Sequence, residues 1–313
     1  MLAFNYTLYP LEISYQHISR PLKSLREEVN ATARLIANTV SQPLAVAFSG
    51  GIDSEIICRS LLEQKIDFTV FIMRFIDDYN AEDIQWAFEF CSDHNIDPVV
   101  LDVDILKFAK QGVDIYINQG YECDRIFRYL QLWLMEQVQQ QGYSLIMGGR
   151  EEGIIRRQKH DNPVVHYDAG HIMPHLWNSD HGKHHYPSFY ETTSELMAAY
   201  FDSPVVRLVS QDANYFTLWS DGQTQCHEKI LTLHHAWPEM KQRIKRDGFE
   251  RLLKFKQEQR HSLKSRWNRD LPDKDILVSQ IRQQLGLDNL SKQVHIAGNS
   301  DFKDNKTVPF HIF

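Results

Sequence analysis

Residues 44–64, LAVAFSGGIDSEIICRSLLEQ, constrain the fold of this chain more than any other stretch. Residues 44–48 have the length and apolar character of a buried strand. They break at Ser49-Gly50-Gly51-Ile52-Asp53-Ser54, after which apolar positions recur at helical spacing. A strand that ends in paired glycines and turns straight into a helix lets backbone N–H groups converge, and the new helix adds its positive dipole end. Such a turn suits an anion, a phosphate above all. It is not the common phosphate loop, whose longer glycine frame closes on Lys and Ser/Thr, because no such run follows. The turn is a different nucleotide grip.

The same logic recurs along the first half of the chain. Leu25, Val29, Ala33, Ile36 and Val40 predict a helix over 24–40, ahead of the strand 44–48 and a helix running to about Gln64. Residues 66–75 are rich enough in β-branched and aromatic types for a second buried strand. Residues 77–95 open acidic and carry Ile84, Ala87, Phe88 and Cys91 on one face, which predicts a helix with acids at its positive end. Residues 98–103 form a third strand, and 121–142 a long amphipathic helix stopping at Gly142. Then 143–153, YSLIMGGREEG, repeats the opening pattern of apolar strand, paired glycines and charge. Strands alternating with helices imply right-handed crossovers and a parallel sheet, so the expected fold is α/β with helices on both faces. Ligands on such sheets bind at the carboxyl ends of the strands, where both Gly-Gly turns fall.

Four regions are expected: an N-terminal extension and helix over 1–40, a nucleotide-binding domain over 41–155, a His-rich loop or lid over 156–190, and a mainly helical region over 191–313 that completes the site. The 313 residues, 42% hydrophobic and 24% charged, suit a soluble globular protein. A net charge of -7 argues against wholesale nucleic-acid coating. Cys58, Cys91, Cys123 and Cys226 are widely spaced and contain no CxxC pair, so they read as reduced thiols of a cytoplasmic protein. No apolar run reaches membrane-spanning length, and residues around Asn5, Tyr6 and Glu12 lack a signal-peptide pattern.

The motif Ser49-Gly50-Gly51-x-Asp53-Ser54 resembles the mark of the PP-loop ATP pyrophosphatases, which have an adenine-nucleotide α-hydrolase-like fold. The resemblance implies that the turn holds the β- and γ-phosphates of ATP, which leave together as pyrophosphate while AMP passes to the substrate. Gly50 and Gly51 would let N–H donors approach, Ser49 and Ser54 would add hydroxyls, and Asp53 would hold Mg²⁺ against the phosphates. Three later segments are similar to the synthetase domain of asparagine synthetase and its β-lactam-forming relatives. Gly148-Gly149-Arg150-Glu151-Glu152 stands where that branch has a Gly-Asp-Gly-x-Asp-Glu turn, with Arg150 as a departure. Lys229-Ile230-Leu231 is similar to a Lys-x-x-Leu segment on the pyrophosphate side. Arg243-Ile244-Lys245, followed by Gly248-Phe249, is similar to an Arg-x-Lys-x-x-Phe stretch whose lysine stabilises developing charge. On this resemblance Glu152 joins Asp53 as a metal ligand, and Glu151, Glu152, Arg243 and Lys245 are the expected catalytic groups. Gly148, Gly149 and Lys229 join the ATP and pyrophosphate site.

With Leu2 at residue 2 and only about forty residues ahead of the Ser49–Ser54 turn, the glutaminase half of asparagine synthetase, with its N-terminal nucleophilic cysteine, is expected to be absent. The expected nitrogen source is therefore free ammonia, another amine, a partner amidotransferase, or a second substrate that is its own nucleophile. The resemblance as a whole implies ATP and Mg²⁺, adenylation of a carboxylate or similar oxygen, and displacement of AMP. Two other functions stay open: modification of a tRNA base, and ATP binding without turnover in a regulatory module.

Several groups admit both a functional and a structural reading. Glu151 and Glu152 are either a metal ligand and base or a solvated turn. Arg125 and Arg128 either point at the site or form surface ion pairs. Lys241, Arg243, Lys245, Arg246, Arg251, Lys254 and Lys256 are a pyrophosphate clamp, an RNA-binding face or an ordinary solvated surface. His160, His166, His171, His175, His181, His184 and His185 follow no standard metal-ligand spacing and fit a lid better than a structural metal. Cys226 reads as a buried structural thiol, Trp86, Phe88 and Trp133 as core, and the backbone of 72–74 as the place where adenine would lie.

Overall fold

The computed structural model describes residues 2–5, 12–15, 18, 20–121, 123, 125–148, 169–182, 185–204, 227–241, 250–252, 255 and 258–259. Strands β1 (Leu2–Asn5) and β2 (Glu12–Tyr15) pair antiparallel as a separate two-stranded ribbon. Helix α1 (Leu25–Thr39) starts on a capping box: Ser24 accepts from the Glu27 backbone, and the Glu27 carboxylate accepts from the Ser24 backbone. It ends ahead of Pro43, whose ring disfavours helix in the residue before it.

Four parallel strands follow: β3 (Leu44–Ala47), β4 (Phe68–Phe75), β5 (Val99–Val103) and β6 (Ser144–Ile146), in the spatial order β5-β4-β3-β6. Helix α2 (Ile52–Glu63) joins β3 to β4, and α3 (Ala81–Asp93) joins β4 to β5. The return from β5 to β6 runs through α4 (Ile105–Lys107), a π-helical turn (Phe108–Gly112), α5 (Val113–Asn118) and α6 (Ile126–Gln140). The spacing Ile105, Phe108, Ala109, Val113 and Tyr116 is helical, and these residues are buried. Gly112 nonetheless interrupts the propensity, and a Cβ there would meet the Phe108 ring at 2.4 Å.

The sheet separates two apolar cores. One face packs α1, α2 and α3 through Val29, Ile56, Ile57, Ile84 and Ala87 against Val46, Val70 and Ile72. The other packs the α4–α6 segment through Ile105, Val113, Leu132 and Met135 against Ala45, Phe71 and Leu145. The architecture is thus α/β with helices on both faces, as the alternation predicts. Phe88 and Trp133 pack against these cores, whereas Trp86 is only half-buried.

Within the region 156–190, expected as a loop or lid, the described residues form helix α7 (Ala169–Asp180), and 185–189 run along the edge of β6. Tyr186 N–H donates to the Leu145 carbonyl, Met147 N–H to the Tyr186 carbonyl, and Phe189 N–H to the Met147 carbonyl. His185 completes the edge, its Nδ1 accepting from Leu145 N–H at 2.9 Å. Helix α8 (Ser194–Phe201) packs on α1, and α9 (His227–Ala236) packs on α2, so these two helices cover the first core.

Asn80 shows why β4 turns where it does. Its side-chain amide accepts from Phe75 N–H at 2.8 Å and donates to the Met73 carbonyl at 2.9 Å, as a neighbouring strand would. Between them Asp77 and Asp78 hold left-handed backbone, φ 65 and 57. The acids expected in the first turn of the helix therefore lie in a strained loop, and Glu82 and Asp83 take that place. Asn80→Leu removes both bonds and is expected to cost about 2–3 kcal/mol, read as a lowered urea midpoint. An unchanged midpoint would show that the amide contributes nothing to the loop.

Candidate active site

The first two crossovers lie on one face of the sheet and the third on the other, so the strand order reverses between β3 and β6. At such a reversal the loops leaving two adjacent strands part and open a crevice at their carboxyl ends. The residues on its two sides are 48–54 after β3 and 147–148 after β6. The Gly-Gly turn therefore sits at the one place in the described sheet where topology makes a binding crevice.

The turn is built for close approach. Gly50 has φ +83, and a Cβ on it would lie 1.9 Å from the Asp83 carbonyl oxygen, so the turn presses against the start of α3. Gly148 presses from the other side: a Cβ there would stand 2.9 Å from the Asp53 Cβ and 3.3 Å from the Ser54 nitrogen. Gly51 is the N-cap of α2 and supplies no side-chain cap. Glu55 N–H makes the first helical bond, to the Gly51 carbonyl, so the N–H groups of residues 52–54 precede the helical ladder.

The two serines differ. Ser49 is exposed and its Oγ accepts from Gly51 N–H at 3.3 Å, which leaves its own O–H to donate outward. Ser54 is buried, and its hydroxyl donates to the Gly51 carbonyl at 2.9 Å. Its single proton is spent inside the turn, so its placement favours a capping part over the expected phosphate contact. Of the two acids in the first turn of α2, Glu55 is buried and paired with Arg59 at 2.7 Å. Asp53 is half-buried at the crevice, and its backbone carbonyl accepts from the Tyr190 hydroxyl at 3.3 Å.

Asp53 could supply one oxygen to Mg²⁺, a cation that takes few protein carboxylates and completes its shell with phosphate and water. Among the described residues no group of three or more His, Cys, Asp and Glu side chains could hold a metal by itself. Within the 72–74 segment expected to meet adenine, the Met73 carbonyl accepts from the Asn80 side chain at 2.9 Å, and the Arg74 side chain pairs with Asp102 at 2.6 Å.

Gly149, Arg150, Glu151, Glu152, Arg243, Arg246, Lys245, Lys254, Lys256, Cys226, His160 and His166 lie outside the described residues. Lys229 falls within α9. From the basic cluster, Lys241 pairs with Asp93 at 3.1 Å, and Arg251 with Glu82 at 3.0 Å, so these two brace α3. Arg128 is 3% exposed, which overturns its surface reading. Its guanidinium donates to Gln131 at 3.0 Å and lies 4.6 Å from the Phe127 ring centroid.

His184 also lies outside the described residues, and the three histidines of this cluster whose side chains are described go to separate partners. His181 bonds the Trp177 carbonyl, His185 the Leu145 amide, and His175 Nε2 stands 3.3 Å from Ser188 Oγ. Burial first, and then the Arg128 charge, push His175 down to about 4. The unfolded chain takes up this proton near 6.5, so protonation favours unfolding as pH falls between those values. Stability conferred by the neutral ring is complete above pH 6.5 and falls by about 2 kcal/mol by pH 5. Denaturation midpoints measured from pH 7 to 5 should show that slope, and His175→Gln should flatten it. Sequence reasoning missed Asn80, Ser188 and Tyr190. Only Asn80 carries a signal, as a helix-capping type before Ala81-Glu82-Asp83, and its side chain serves the strand instead.

No family model matches the chain, and no curated protein matches it. Among solved structures it is similar to NMN synthetase from Francisella tularensis, at 14% identity and a TM-score of 0.32, over 72% of this chain and 99% of that one. It is also similar to NH3-dependent NAD synthetase from Campylobacter jejuni, at 10% identity and a TM-score of 0.34, over 71% and 98%. Among the described residues no helix is long and apolar enough to cross a membrane.

Proposed function

We propose that the chain is an ATP-dependent ligase that adenylates a carboxylate or similar oxygen, releases pyrophosphate, and lets ammonia or an amine displace AMP. The observation that carries this reading is the Ser49–Ser54 turn, held by close glycine contacts at the crevice between β3 and β6. N–H groups of residues 52–54 and the Ser49 hydroxyl donate to the leaving phosphates there. Asp53, with Glu152, would hold Mg²⁺, which neutralises charge on the adjacent phosphates.

In the first step a carboxylate oxygen attacks the α-phosphorus and its bond to the bridging oxygen breaks. The departing pyrophosphate gathers negative charge, which Lys229, Arg243 and Lys245 offset. In the second step the amine nitrogen attacks the acyl carbon, AMP leaves with the carbon–oxygen electron pair, and Glu151 or Glu152 takes the nitrogen's proton. Gly148 lets the loop after β6 close on the first turn of α2, beside the phosphates. The segments around Lys229 and Arg243 to Lys245 favour amide formation of the asparagine synthetase kind within this chemistry.

The test is product analysis of Mg·ATP incubated with the protein and pools of carboxylic acids and ammonia. AMP and pyrophosphate should appear only with substrate, and Asp53→Ala should reduce their rate by about a hundredfold or more. ADP and phosphate would sink the mechanism. ATP binding without cleavage in any small-molecule pool, but with cleavage on adding tRNA, would transfer the reading to base modification. Binding without cleavage in both would make the chain a nucleotide sensor.

A further inference from the structure

The loop after β4 stands beside the phosphate turn and shapes it. Ala47 at the end of β3 pairs with Phe71, yet β4 continues to Phe75, so residues 76–80 rise past the edge at which β3 gives way to Ser49–Ser54. The chain then enters α3, whose first turn sets the Asp83 carbonyl against Gly50. The conformation of the phosphate turn therefore depends on where 76–83 is held. Within that loop Asp77 and Asp78 are both left-handed, a conformation that such residues keep only when their surroundings impose it.

One side chain from a later segment reaches both ends of the loop. The Arg251 guanidinium donates to the Asp78 carbonyl at 3.2 Å and to the Glu82 carboxylate at 3.0 Å. It thus takes the carbonyl that the left-handed backbone presents and the acid next to Asp83. The following residue, Leu252, is buried in the second core, and Phe255 packs against that core. Arg251 and Leu252 therefore straddle the carboxyl edge of the sheet, one bound to the start of α3 and the other buried on the opposite face. An exposed ion pair alone contributes little, because two mobile side chains must be ordered to form it. Here a buried neighbour anchors Arg251 and one of its two acceptors is a main-chain oxygen, so less ordering is required.

We propose that Arg251 is a positioning residue for ATP: it holds the 77–83 loop so that Asp83 keeps Gly50 in the conformation that aims N–H groups at the phosphates. The assignment rests on the ATP-dependent activation proposed above and adds a third chain segment to its machinery. Arg251 acts through Asp78, Glu82 and Asp83. Glu82 is thereby a partner in ATP binding although its own charge repels phosphate.

Calorimetric titration of the intact chain with Mg·ATP, alongside urea denaturation, tests the role. Arg251→Gln and Glu82→Gln should each weaken ATP by about threefold to tenfold, and the double variant by no more than the larger single effect, because both remove one contact. Urea midpoints should stay close to that of the unaltered protein, since the two side chains are 49% and 46% exposed. The sign for Glu82→Gln is the distinguishing result. If the pair were only part of the field around the phosphates, removing an acid would tighten ATP. Tighter or unchanged ATP binding in Glu82→Gln, additive effects in the double variant, or midpoints that fall in step with ATP affinity would each overturn the positioning role. An unaltered protein that bound no ATP would overturn the nucleotide reading and this role together, whereas equal ATP binding in all the variants would sink the role of Arg251 alone.

Discussion

Gly50→Ala is expected to destabilise the protein by about 3 kcal/mol and to abolish nucleotide binding. Two costs combine. The backbone at Gly50 has φ +83, where a Cβ is strained by about 1–2 kcal/mol. The new methyl would also lie 1.9 Å from the Asp83 carbonyl oxygen, a backbone atom in the first turn of α3 that cannot rotate aside. Either the turn opens or α3 retreats, and both move the N–H groups of α2 away from a bound phosphate. Gly120→Ala is the control, because Gly120 has φ +93 and nothing within 4 Å of its Cβ position. It carries the strain without the collision and should cost about 1 kcal/mol. Urea denaturation of the two variants separates the terms, and equal midpoints would show that the contact with Asp83 constrains nothing.

Trp237→Ala should have the largest effect on stability, about 3–5 kcal/mol. Trp237 is fully buried, follows α9, and fills the outer core with Leu233 and Met240. Its Nε1–H donates to Glu63 at 3.3 Å, and the Arg26 guanidinium lies 5.4 Å from the ring centroid while pairing with both Glu63 and Glu239. The variant leaves a large void between α9 and α2, and α2 carries the phosphate turn at its other end. Unfolding followed by tryptophan fluorescence and by circular dichroism should shift together, and ATP binding should weaken with them. If the α/β sheet unfolded at its original denaturant concentration, the segment around Trp237 would be a separate unit with no hold on the site. Trp237→Phe keeps most of the buried area, loses the bond to Glu63, and should cost about 1–2 kcal/mol.

Local patterns carried much of this fold. The apolar run 44–48 and the buried Val70 to Ile72 are legible as strands because period and composition act within a few residues. The capping box at Ser24 and Glu27 is likewise a short-range signal. Helix α7 was illegible because His, Pro and Asn are poor helix formers and Pro174 interrupts its pattern, yet Met173, Leu176 and Trp177 bury against the second core. The bend over 105–118 was missed for a similar reason, with Gly112 at its centre.

The candidate site divides along the same line. Ser49-Gly50-Gly51-x-Asp53-Ser54 announces an anion-binding turn because the chemistry lies in six successive residues whose conformational needs are local. Which serine points outward is not local: Ser54 turns its proton to the Gly51 carbonyl while Ser49 stays exposed. Nor is the burial of Arg128, which the pattern of α6 alone does not announce. The sequence by itself determined the alternating elements, the parallel sheet they imply and the turn that meets phosphate. Only the tertiary structure decided that the turn faces Gly148 across a reversal of strand order, and that His175 of α7 meets Ser188 beyond β6. Hydrophobic period and turn chemistry are short-range properties, whereas a crevice is a relation between chain segments that only packing brings into contact.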